Sequence, residues 1–423
     1  SQILLRGDLL DALLQVVVGA LQALRLLCVA GRRIRPHQLV QPGQEVARVG
    51  DVAGLPHLAR VEGEEVPGVP QRQEDLPRRG YVIRDGAIAA WALPEALPAG
   101  AGMRIVGAHT DSPALKLKPA AALVRSGWQL INAEVYGGPL LASFLDRELG
   151  LAGRLTTCDG AVHLVRTGPL LRIPQLAIHL DRQVNEGLAL DKQRHTAPVI
   201  GLADLAEADI IELLAASAGV DAETVVGHDA YTIPTQEPAL FGAAEEFFAS
   251  PRLDNLLSVH AGVTALTQLD ADGLDGIPLF AAFDHEEIGS NSRSGACGPF
   301  LADVTERIVA SLLPQSTRSD YLASMASSVC VSSDAGHAAH PNYPERHDPH
   351  VRPRLGGGPL LKLNAQQRYA TDAVGTAVWS QACAAAGVEY QDFVSNNAMP
   401  CGSTIGPLSA AQLRSMLKQV ETP

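Results

Sequence analysis

The sequence predicts an α/β fold, and three observations support that class. From about residue 81 onwards, short apolar runs alternate with longer segments of helical periodicity, a pattern typical of sheets flanked by helices. Several of these apolar runs end directly in a charged or metal-binding side chain. The chain has 423 residues, of which 46% are hydrophobic, so it is long enough for two or three domains with a sizeable core.

Four apolar runs define the predicted strands that matter most. They are "MRIVGA" before His109, "PLFAAF" before Asp284, "SSVCVSS" before Asp334 and "GPLLKLN" around Lys362. Ligands of open α/β sheets bind at the carboxyl ends of strands, so we expect the charged residues at these ends to share a site. Segment 252–269 predicts a helix with Asp254 in its first turn, where an acidic residue is favoured.

The charge balance argues against two classes of partner. The formal net charge is −13, which argues against nucleic acid and against docking on anionic membranes. The most membrane-like stretch, residues 9–30, is interrupted by polar side chains, and its longest uncharged run is too short to span a bilayer. Arginines follow this stretch rather than precede it, opposite to a secretory signal. We therefore expect a helix of a soluble protein here.

The cysteines and serines indicate a reducing compartment and no covalent nucleophile. The 6 cysteines are scattered, without a Cys-x-x-Cys pair, which favours reduced thiols over a disulfide framework. We therefore expect a cytoplasmic location. Neither G-x-S-x-G nor G-x-x-x-x-G-K-[ST] occurs in the chain, so no nucleophile elbow or phosphate-binding loop is predicted.

The segment "GAHTDSPALKLKP" contains the first candidate metal ligand. His109 and Asp111 are two residues apart and would share a face of a regular strand. A metal-binding histidine normally has a carboxylate that fixes its tautomer, and Asp111 can supply it if the strand breaks into a loop here. The alternative is a polar turn closed by Ser112 and Pro113, without a metal.

The segment "DHEEIGS" supplies two adjacent carboxylates after a strongly apolar run. At a strand end, Glu286 and Glu287 can approach one site together, one as a ligand and the other as a general base. Two-metal hydrolases need this division, because carboxylates hold the ions while a free carboxylate accepts a proton from water. A solvated acidic turn is the alternative.

Asp254, Asp334 and a group of histidines complete the candidates. Asp334 is favoured because it follows an apolar run directly. The segment after it contains four histidines, His337, His340, His347 and His350. Histidines also cap and bridge loops, so we expect most of them not to be ligands. His179 lies within the apolar run "LAIHL", and the residues alone leave open whether it is a buried core histidine or a functional one.

Seven motifs make the chain similar to a known family. They are "GAHTDSP", "EVYGG", "IPQLAIHLDR", "FDHEEIGS", "SSDAGHAAHPNY", "QRYAT" and "CGSTIGP". In this order and spacing, over about residues 80–408, they resemble the M18 family of metallo-aminopeptidases, the aspartyl aminopeptidases. The resemblance implies a two-zinc exopeptidase that acts on short peptides, with manganese or cobalt as alternative metals.

The resemblance also implies roles for individual residues. The implied metal ligands are His109, Asp254, Glu287 and Asp334. Asp254 would bridge both ions, Glu286 would be the general base, and Asp111 would orient His109. His179 is implied to reach the active site of a neighbouring subunit and to stabilise the tetrahedral intermediate there, or instead to bind metal.

Two further residues are implied to bind substrate. Lys362 resembles a residue near the pocket for an acidic side chain, and His340 is the second candidate. An acidic substrate residue needs a positive charge, and on a chain with net charge −13 that charge must be local. We therefore expect the enzyme to release N-terminal Asp or Glu.

The family fold implies the domain organisation and the assembly. It is an α/β, mixed-sheet zinc-peptidase catalytic domain interrupted by a β-rich dimerisation domain. On this sequence the catalytic domain would cover residues 1–112 and 236–423, and the dimerisation domain residues 113–235. Family members assemble from dimers into dodecamers that enclose their active sites, so we expect a homo-oligomer.

Both ends of the chain depart from the family pattern. Residues 1–80 lack the family's Ser-Pro-Thr-Pro-aromatic-His helix start. After "CGSTIGP" the family continues with Met-His-Ser-x-Arg-Glu, whose histidine is the last metal ligand, but here no histidine follows His350. We therefore expect the metal set to be one ligand short, and out-of-frame sequence at residues 1–80 and 408–423 is one hypothesis for this.

Two other functions stay open on the sequence. One is a two-metal aminopeptidase of neutral specificity. The other is a non-catalytic or weakly active shell-forming homologue, which the missing histidine favours because loss of a ligand weakens metal binding. Hydrolysis of different aminoacyl anilides, metal analysis and a Glu286→Gln comparison would separate these functions.

Overall fold

The computed structural model describes residues 64–65, 76–95, 100–203, 209–272, 274, 276–402, 405–406, 408 and 416–422. The stretch 9–30 lies outside the described residues, as do most of residues 1–80 and half of residues 408–423. The expectations about these segments therefore stay predictions. Within the described ranges, no helix is long and apolar enough to cross a bilayer.

The secondary-structure elements are numbered here in chain order. The strands are β1 (Glu64–Glu65), β2 (Arg79–Arg84), β3 (Ala87–Ala92), β4 (Met103–His109), β5 (Ala114–Arg125), β6 (Trp128–Tyr136), β7 (Leu149–Thr157), β8 (Val162–Arg166), β9 (Val199–Leu202), β10 (Val225–Pro234), β11 (Ala239–Phe241), β12 (Phe247–Ala249), β13 (Ile277–Phe283), β14 (Val329–Ala335), β15 (Leu360–Lys362), β16 (Gln391–Phe393) and β17 (Met416–Thr422). The α-helices are α1 (Ile210–Ala218), α2 (Leu253–Gln268), α3 (Phe300–Leu312), α4 (Arg318–Ala326) and α5 (Ala373–Ala385).

The chain divides into two compact units. One unit is Ser112–Pro238, and the other contains the described residues up to Asp111 and from Ala239 onwards. The second unit is therefore interrupted by the first. Mixed sheets and helices confirm the predicted α/β class, whereas the assignment of residues 113–235 to dimerisation stays a prediction.

A nine-stranded mixed sheet forms the centre of the interrupted unit. Its order is β1-β2-β3-β13-β4-β14-β17-β15-β16. Strand β4 lies between β13 and β14 and is parallel to both, so the carboxyl ends of these three strands meet at one edge of the sheet. All residues of β4 and β13 are buried, as expected for central strands covered on both faces.

Alternating side chains of the central strands pack against different helices. Ile105 belongs to a core cluster with Phe300 of α3, whereas its neighbour Val106 packs with Phe280 and residues of α2. Helix α2 approaches the sheet closely at Gly262, where a Cβ would lie 2.4 Å from the Phe280 ring. This close packing determines where the first turn of α2 lies relative to the strand ends.

The inserted unit contains a six-stranded sheet of order β8-β7-β10-β5-β6-β9. All of its strand pairs are antiparallel. Helix α1 packs Leu214 into a core with Leu115 and Leu155. Asp209 caps the start of this helix by accepting hydrogen bonds from two main-chain N–H groups, and Gly219 ends it in a left-handed conformation.

Candidate metal centre

His109 is the last residue of β4, and only 2% of its side chain is exposed. Its Nε2 lies 3.2 Å from Asp254 Oδ1 and 3.3 Å from Asp334 Oδ1. On the other side of the ring, Nδ1 lies 3.1 Å from the main-chain oxygen of Asp111 and 3.4 Å from its Oδ1. The ring therefore presents Nε2 to two carboxylates that come from distant parts of the chain.

Two different elements bring these carboxylates to His109. Asp334 lies near the carboxyl end of β14, beside β4, and is 6% exposed. The predicted helix 252–269 is confirmed as α2, but its first turn is irregular, since Asp254 has φ −81° and ψ 109°. Asn255, fully buried, donates from Nδ2 to the main-chain oxygen of Ser333 at 3.0 Å. This bond ties the start of α2 to β14 and so keeps Asp254 beside the strand ends.

The three side chains fit a divalent cation. One ligand atom from each of His109, Asp254 and Asp334 lies within 4.8 Å of the others, and among the described residues no other group of histidine, cysteine or acidic side chains does so. Ligand atoms bound to a tetrahedral zinc ion lie about 3.4 Å apart, close to the 3.2 and 3.3 Å seen here. An imidazole with two carboxylates is a donor set that suits zinc.

The electrostatics of His109 also favour a cation. Burial opposes the charged ring, but the carboxylates of Asp111, Asp254 and Asp334, at 3.2–3.4 Å from its nitrogens, outweigh it and raise the pKa of His109 to about 12. Such a shift means that the surrounding carboxylates demand positive charge at this point. A metal ion would supply that charge and leave the imidazole neutral, as a ligand must be.

The residues Asp284–Glu287 follow β13 in a tight turn at the same edge. His285 has a left-handed backbone with φ 64°, and Glu286–Ile288 form a single 3-10 turn that ends at Gly289 with φ 91°. Burial is the largest cause that raises the pKa of Glu286 to about 7 and that of Glu287 to about 8. For Glu287 the next cause is the negative charge of Asp254. Both glutamates are therefore close enough to the carboxylates around His109 to feel their charge, although neither is in the three-residue cluster.

Gly86 packs against this acidic turn from the β2–β3 hairpin. Its N–H donates to the Asp284 carboxylate, and its carbonyl oxygen accepts from Thr110 Oγ1 at 2.7 Å. A Cβ at Gly86 would lie only 2.6 Å from Asp284 Oδ2. The hairpin therefore supports both motifs of the site and leaves no space for a larger residue.

Replacing Gly86 with Ala is expected to weaken metal binding at least tenfold. Mutation of a residue that holds a metal ligand in place typically lowers metal affinity by about this factor. The added methyl group would push Asp284 away and move the turn that carries the glutamates, at a stability cost of about 1–3 kcal/mol. Chelator competition and thermal unfolding measure both effects. Gly138→Ala is the control, because no atom lies within 4 Å of its added Cβ; equal affinity in the two variants would contradict the prediction.

The shifted pKa values predict how the free energy of unfolding of the metal-free protein, prepared with a chelator, depends on pH. Glu286, Glu287 and His109 have raised pKa values in the folded state, so the folded state holds protons that the unfolded state has released. The contribution of Glu286 and Glu287 to the free energy of unfolding is therefore present at about pH 4 and is lost as the pH rises through 7 to 8. The contribution of His109 is lost only as the pH rises towards 12. Zinc would replace these protons, so the increase in Tm on adding zinc is expected to be larger at pH 8 than at pH 6.

A difference measurement is needed because other histidines oppose this trend. Burial lowers the pKa of His260 and of His337, so both groups stabilise the fold as the pH rises. We therefore compare the pH dependence of the stability of the wild type with that of Glu287→Gln, both freed of metal by a chelator. The difference between the two gives the contribution of the acidic turn. We expect the variant to lose less stability between pH 5 and pH 8; identical pH profiles would contradict the assigned shift.

Lys362 does not lie at the edge of the sheet that carries His109, so the expectation of a strand end there is wrong, whereas substrate binding by Lys362 stays a prediction. Strand β15 is antiparallel to β17, which is parallel to β14, so β15 runs away from the edge that carries Asp334. Leu360 is level with Asp334 through β17, and Lys362 lies two residues further away. The directions of β15 and β17 are set by long-range pairing, which apolar runs do not specify.

The surroundings of Lys362 are aromatic. The residue is 8% exposed, and its Nζ lies 4.7 Å from the centroid of Tyr369 and 5.3 Å from that of Phe393. The ring of His337 lies 5.4 Å from the Phe393 ring. Aromatic faces stabilise an ammonium group, so Lys362 is a buried positive charge within the same unit as the candidate metal centre.

The histidines after Asp334 organise their own loop. His340 is exposed, and its Nδ1 accepts a hydrogen bond from Asn342 N at 3.1 Å. His347 is buried, and its Nε2 accepts from His340 N at 3.1 Å. None of the four histidines belongs to the three-residue cluster, so the interpretation of most of them as loop residues is supported, and substrate binding by His340 stays a prediction.

His179 is not a core histidine. It lies in the inserted unit, in an exposed turn between Ile178 and Leu180, which are 48% and 75% exposed. The apolar run around His179 indicated burial, but the side chains of Ile178 and Leu180 are exposed to solvent in the single chain. Its catalytic role stays a prediction.

Some supporting residues were missed from the sequence. Thr110 donates its N–H to the main-chain oxygen of Phe283 at 2.8 Å and so joins the two acidic motifs. Asn255 and Gly86 position Asp254 and Asp284, as described above, and Tyr369 and Phe393 surround Lys362. Thr110 directly follows His109 and Asn255 directly follows Asp254. This position next to a candidate ligand is the one feature of the sequence that could have indicated a supporting role.

Comparisons with known proteins agree with this site. Residues 71–415 match the model of the family described as "Aminopeptidase I zinc metalloprotease (M18)". A "Probable M18 family aminopeptidase 2" of Streptomyces avermitilis is 53% identical over 337 residues, 78% of each chain. Its counterpart in Mycobacterium leprae is 41% identical over 367 residues, 85% of this chain and 83% of that protein.

Solved structures show the same fold. A chain of the cryo-EM structure of the Ape4 and Nbr1 complex superimposes with a TM-score of 0.83 at 31% identity, covering 99% of this chain and 82% of that chain. The crystal structure of prApe1 gives a TM-score of 0.79 at 27% identity over 86% and 82% of the chains. The S. cerevisiae mApe1 dodecamer gives 0.74 at 27% identity over 86% and 84%.

The mixed α/β fold and the cluster of His109 with two carboxylates are those of a metallopeptidase. More specifically, this chain belongs to the M18 family of aminopeptidases, because the family model covers most of it and relatives of 41–53% identity extend over more than three quarters of its length. The predicted family resemblance is thereby confirmed, together with the fold class.

Proposed function

We propose that this protein is a zinc-dependent aminopeptidase that releases N-terminal Asp or Glu from short peptides. The observation that carries the proposal is the convergence of His109, Asp254 and Asp334 at the edge of the sheet where Glu286 lies. Family membership supports the class of reaction. The acidic specificity depends on Lys362, a buried cation in a chain of net charge −13.

Two metal positions follow from the carboxylates present. His109, Asp254 and Asp334 would hold one ion, while Asp254 and Glu287 would hold a second. The Asp254 side chain is 59% exposed despite its contact with His109, so its carboxylate stays accessible to a second ion. Bound divalent ions lower the pKa of a water molecule and polarise the scissile carbonyl. Manganese or cobalt would suit the same donors.

Glu286 would move the proton. Its carboxylate is half-buried and its pKa is raised to about 7, chiefly by burial. A general base works best when its pKa lies near the working pH. Glu286 would accept a proton from the attacking water and then donate it to the nitrogen of the leaving amine. Asp111, through His109, and the main chain of the turn would keep these groups in position.

The remaining charges would select the end of a peptide. A free N-terminal amine has a lone pair that would bind to the second ion held by Asp254 and Glu287, whereas the lone pair of an internal peptide nitrogen is delocalised into the amide bond. An acidic first side chain would approach Lys362, whose Nζ is largely removed from water by Tyr369 and Phe393. Ion pairs are stronger where water is excluded, so one lysine suffices for a preference.

Aminoacyl anilides of Asp, Glu, Leu and Ala test the proposal directly. Purified protein is assayed with each substrate after addition of zinc, manganese or cobalt. We expect the Asp and Glu substrates to be hydrolysed faster than Leu and Ala. A preference for Leu would assign neutral specificity instead, and no hydrolysis with any metal would favour the shell-forming, non-catalytic alternative.

Replacing Lys362 with Met is expected to lower kcat/KM for the Asp and Glu substrates about 10- to 100-fold, the usual value of a charge-assisted hydrogen bond. Hydrolysis of the Leu substrate should change little, because methionine keeps the length and apolar contacts of the lysine stem. Lys118→Met, in the inserted unit, is the matched control. Equal losses for acidic and neutral substrates would contradict a role in specificity.

Assembly and location complete the proposal. The S. cerevisiae relative mApe1 is a dodecamer, and we infer a homo-oligomer built from dimers here, with residues 113–235 as the dimerisation domain. The exposed turn around His179 supports a contact in which this histidine serves the active site of a second copy. A cytoplasmic location agrees with the free cysteines among the described residues, Cys158, Cys297, Cys330, Cys383 and Cys401. Size-exclusion chromatography with light scattering would test the assembly.

A further inference from the structure

The carboxylate of Asp111 joins two motifs that are far apart in sequence. Its Oδ1 accepts a hydrogen bond from Glu286 N at 3.0 Å, and its Oδ2 accepts one from Glu287 N at 3.1 Å. Only 8% of the side chain is exposed. We propose that Asp111 is a positioning residue for the turn that carries Glu286 and Glu287, in addition to any effect on His109. This inference rests on the proposed function.

The hydrogen bonds to His109 separate these two roles. The nearest acceptor for His109 Nδ1 is the main-chain oxygen of Asp111, at 3.1 Å, whereas the carboxylate oxygen lies at 3.4 Å. Any residue at position 111 keeps that main-chain oxygen. The two carboxylate oxygens are instead each within hydrogen-bond distance of a main-chain N–H of the acidic turn. A change confined to the side chain therefore acts first on the glutamates.

The acidic turn needs such an acceptor. A 3-10 turn of three residues cannot satisfy the N–H groups at its own start, and these are the N–H groups of Glu286 and Glu287. The turn is also bounded by left-handed residues, since His285, Gly289 and Ser290 have φ values of 64°, 91° and 63°. Left-handed non-glycine residues persist only where neighbouring contacts hold them. Asp111 on one side and Gly86, through Asp284, on the other provide those contacts.

Charge alone would not favour a carboxylate here. Asp111 is a further negative group near Glu286, and its charge helps to raise the pKa of both glutamates. A neutral asparagine would relieve that repulsion and has nearly the same shape. However, asparagine offers one acceptor oxygen and one NH₂ donor, so one of the two N–H groups would face a donor. The geometry thus requires both oxygens of a carboxylate.

Asp111→Asn tests the proposal with a readout independent of activity. Site-resolved hydrogen exchange is measured for the amides of Glu286 and Glu287 in the wild type, Asp111→Asn and the control Asp392→Asn, a change at an exposed position of β16. We expect both amides to be protected in the wild type and at least one to exchange about tenfold faster in Asp111→Asn, in line with the loss of a charged hydrogen bond. With the acidic anilides, kcat should fall more than KM rises.

The proposal is overturned if Asp111→Asn exchanges these amides as slowly as the wild type. If Asp111→Asn does not fold, hydrogen exchange in the wild type alone tests the proposal. Fast exchange of the Glu286 and Glu287 amides would then contradict their hydrogen bonds to Asp111. A wild type that binds no Co²⁺ and hydrolyses no anilide would refute the proposed function, while the exchange data would still test the role of Asp111.

Discussion

Replacing Glu286 with Gln is expected to lower kcat by about a thousandfold, in the middle of the range for loss of a general base, while metal binding stays intact. Glutamine keeps the size of the side chain but cannot accept a proton from water. Glu286 lies outside the cluster of His109, Asp254 and Asp334, so those ligands remain available. Steady-state kinetics on the preferred anilide, together with metal content per subunit, measure the two effects separately.

The control for this variant is Glu345→Gln, an exposed glutamate in the loop after β14. It should match the wild type in both rate and metal content. Equal activity of Glu286→Gln and the wild type would refute the assigned base. Loss of metal in Glu286→Gln would instead make Glu286 a ligand and shift the role of base to another group.

Replacing His109 with Ala is expected to weaken metal binding more than 100-fold, since even residues that only support a ligand cost about 10- to 100-fold. The variant removes the one imidazole of the cluster and leaves Asp111, Asp254 and Asp334 close together with less positive charge between them. Hydrolysis should fall in proportion to metal occupancy. Titration with Co²⁺ or Zn²⁺ against a chelator gives the affinity, and the rate at saturating metal shows what remains.

His350→Ala is the matched control, because His350 lies exposed in the loop after β14 and outside the cluster. We expect it to bind metal as the wild type does. If His109→Ala retained full affinity, the cluster at the end of β4 would not be the metal centre, and the peptidase proposal would lose its main support.

Much of the candidate site was predictable because its residues follow strongly apolar strands. The apolar runs before His109, Asp284 and Asp334 form β4, β13 and β14. Polar residues that directly follow a buried strand lie at the edge of the sheet, where the strand leaves the core. The helix that carries Asp254 was equally clear from its periodicity. The irregular first turn of that helix was not, because it depends on Asn255 and its contact with β14.

Other features depended on pairing between distant segments. Lys362 has the same local pattern as the other strand ends, yet β15 runs in the opposite direction to β14. The turn around His179 looked like core sequence, but its apolar residues are exposed in the single chain. Local periodicity describes which residues are apolar and how often they recur; it does not state the direction of a neighbouring strand or what covers an apolar segment.

The sequence by itself determined the class of this protein: an α/β metallopeptidase of the M18 family whose candidate ligands end apolar strands. The tertiary structure decided how those residues act together. It brought His109, Asp254 and Asp334 within reach of one ion, and it placed the Asp111 carboxylate against the main chain of Glu286, 175 residues away. Strand and helix patterns arise from neighbours in the chain, whereas a metal site and its supports arise from parallel pairing and packing between segments that the sequence separates.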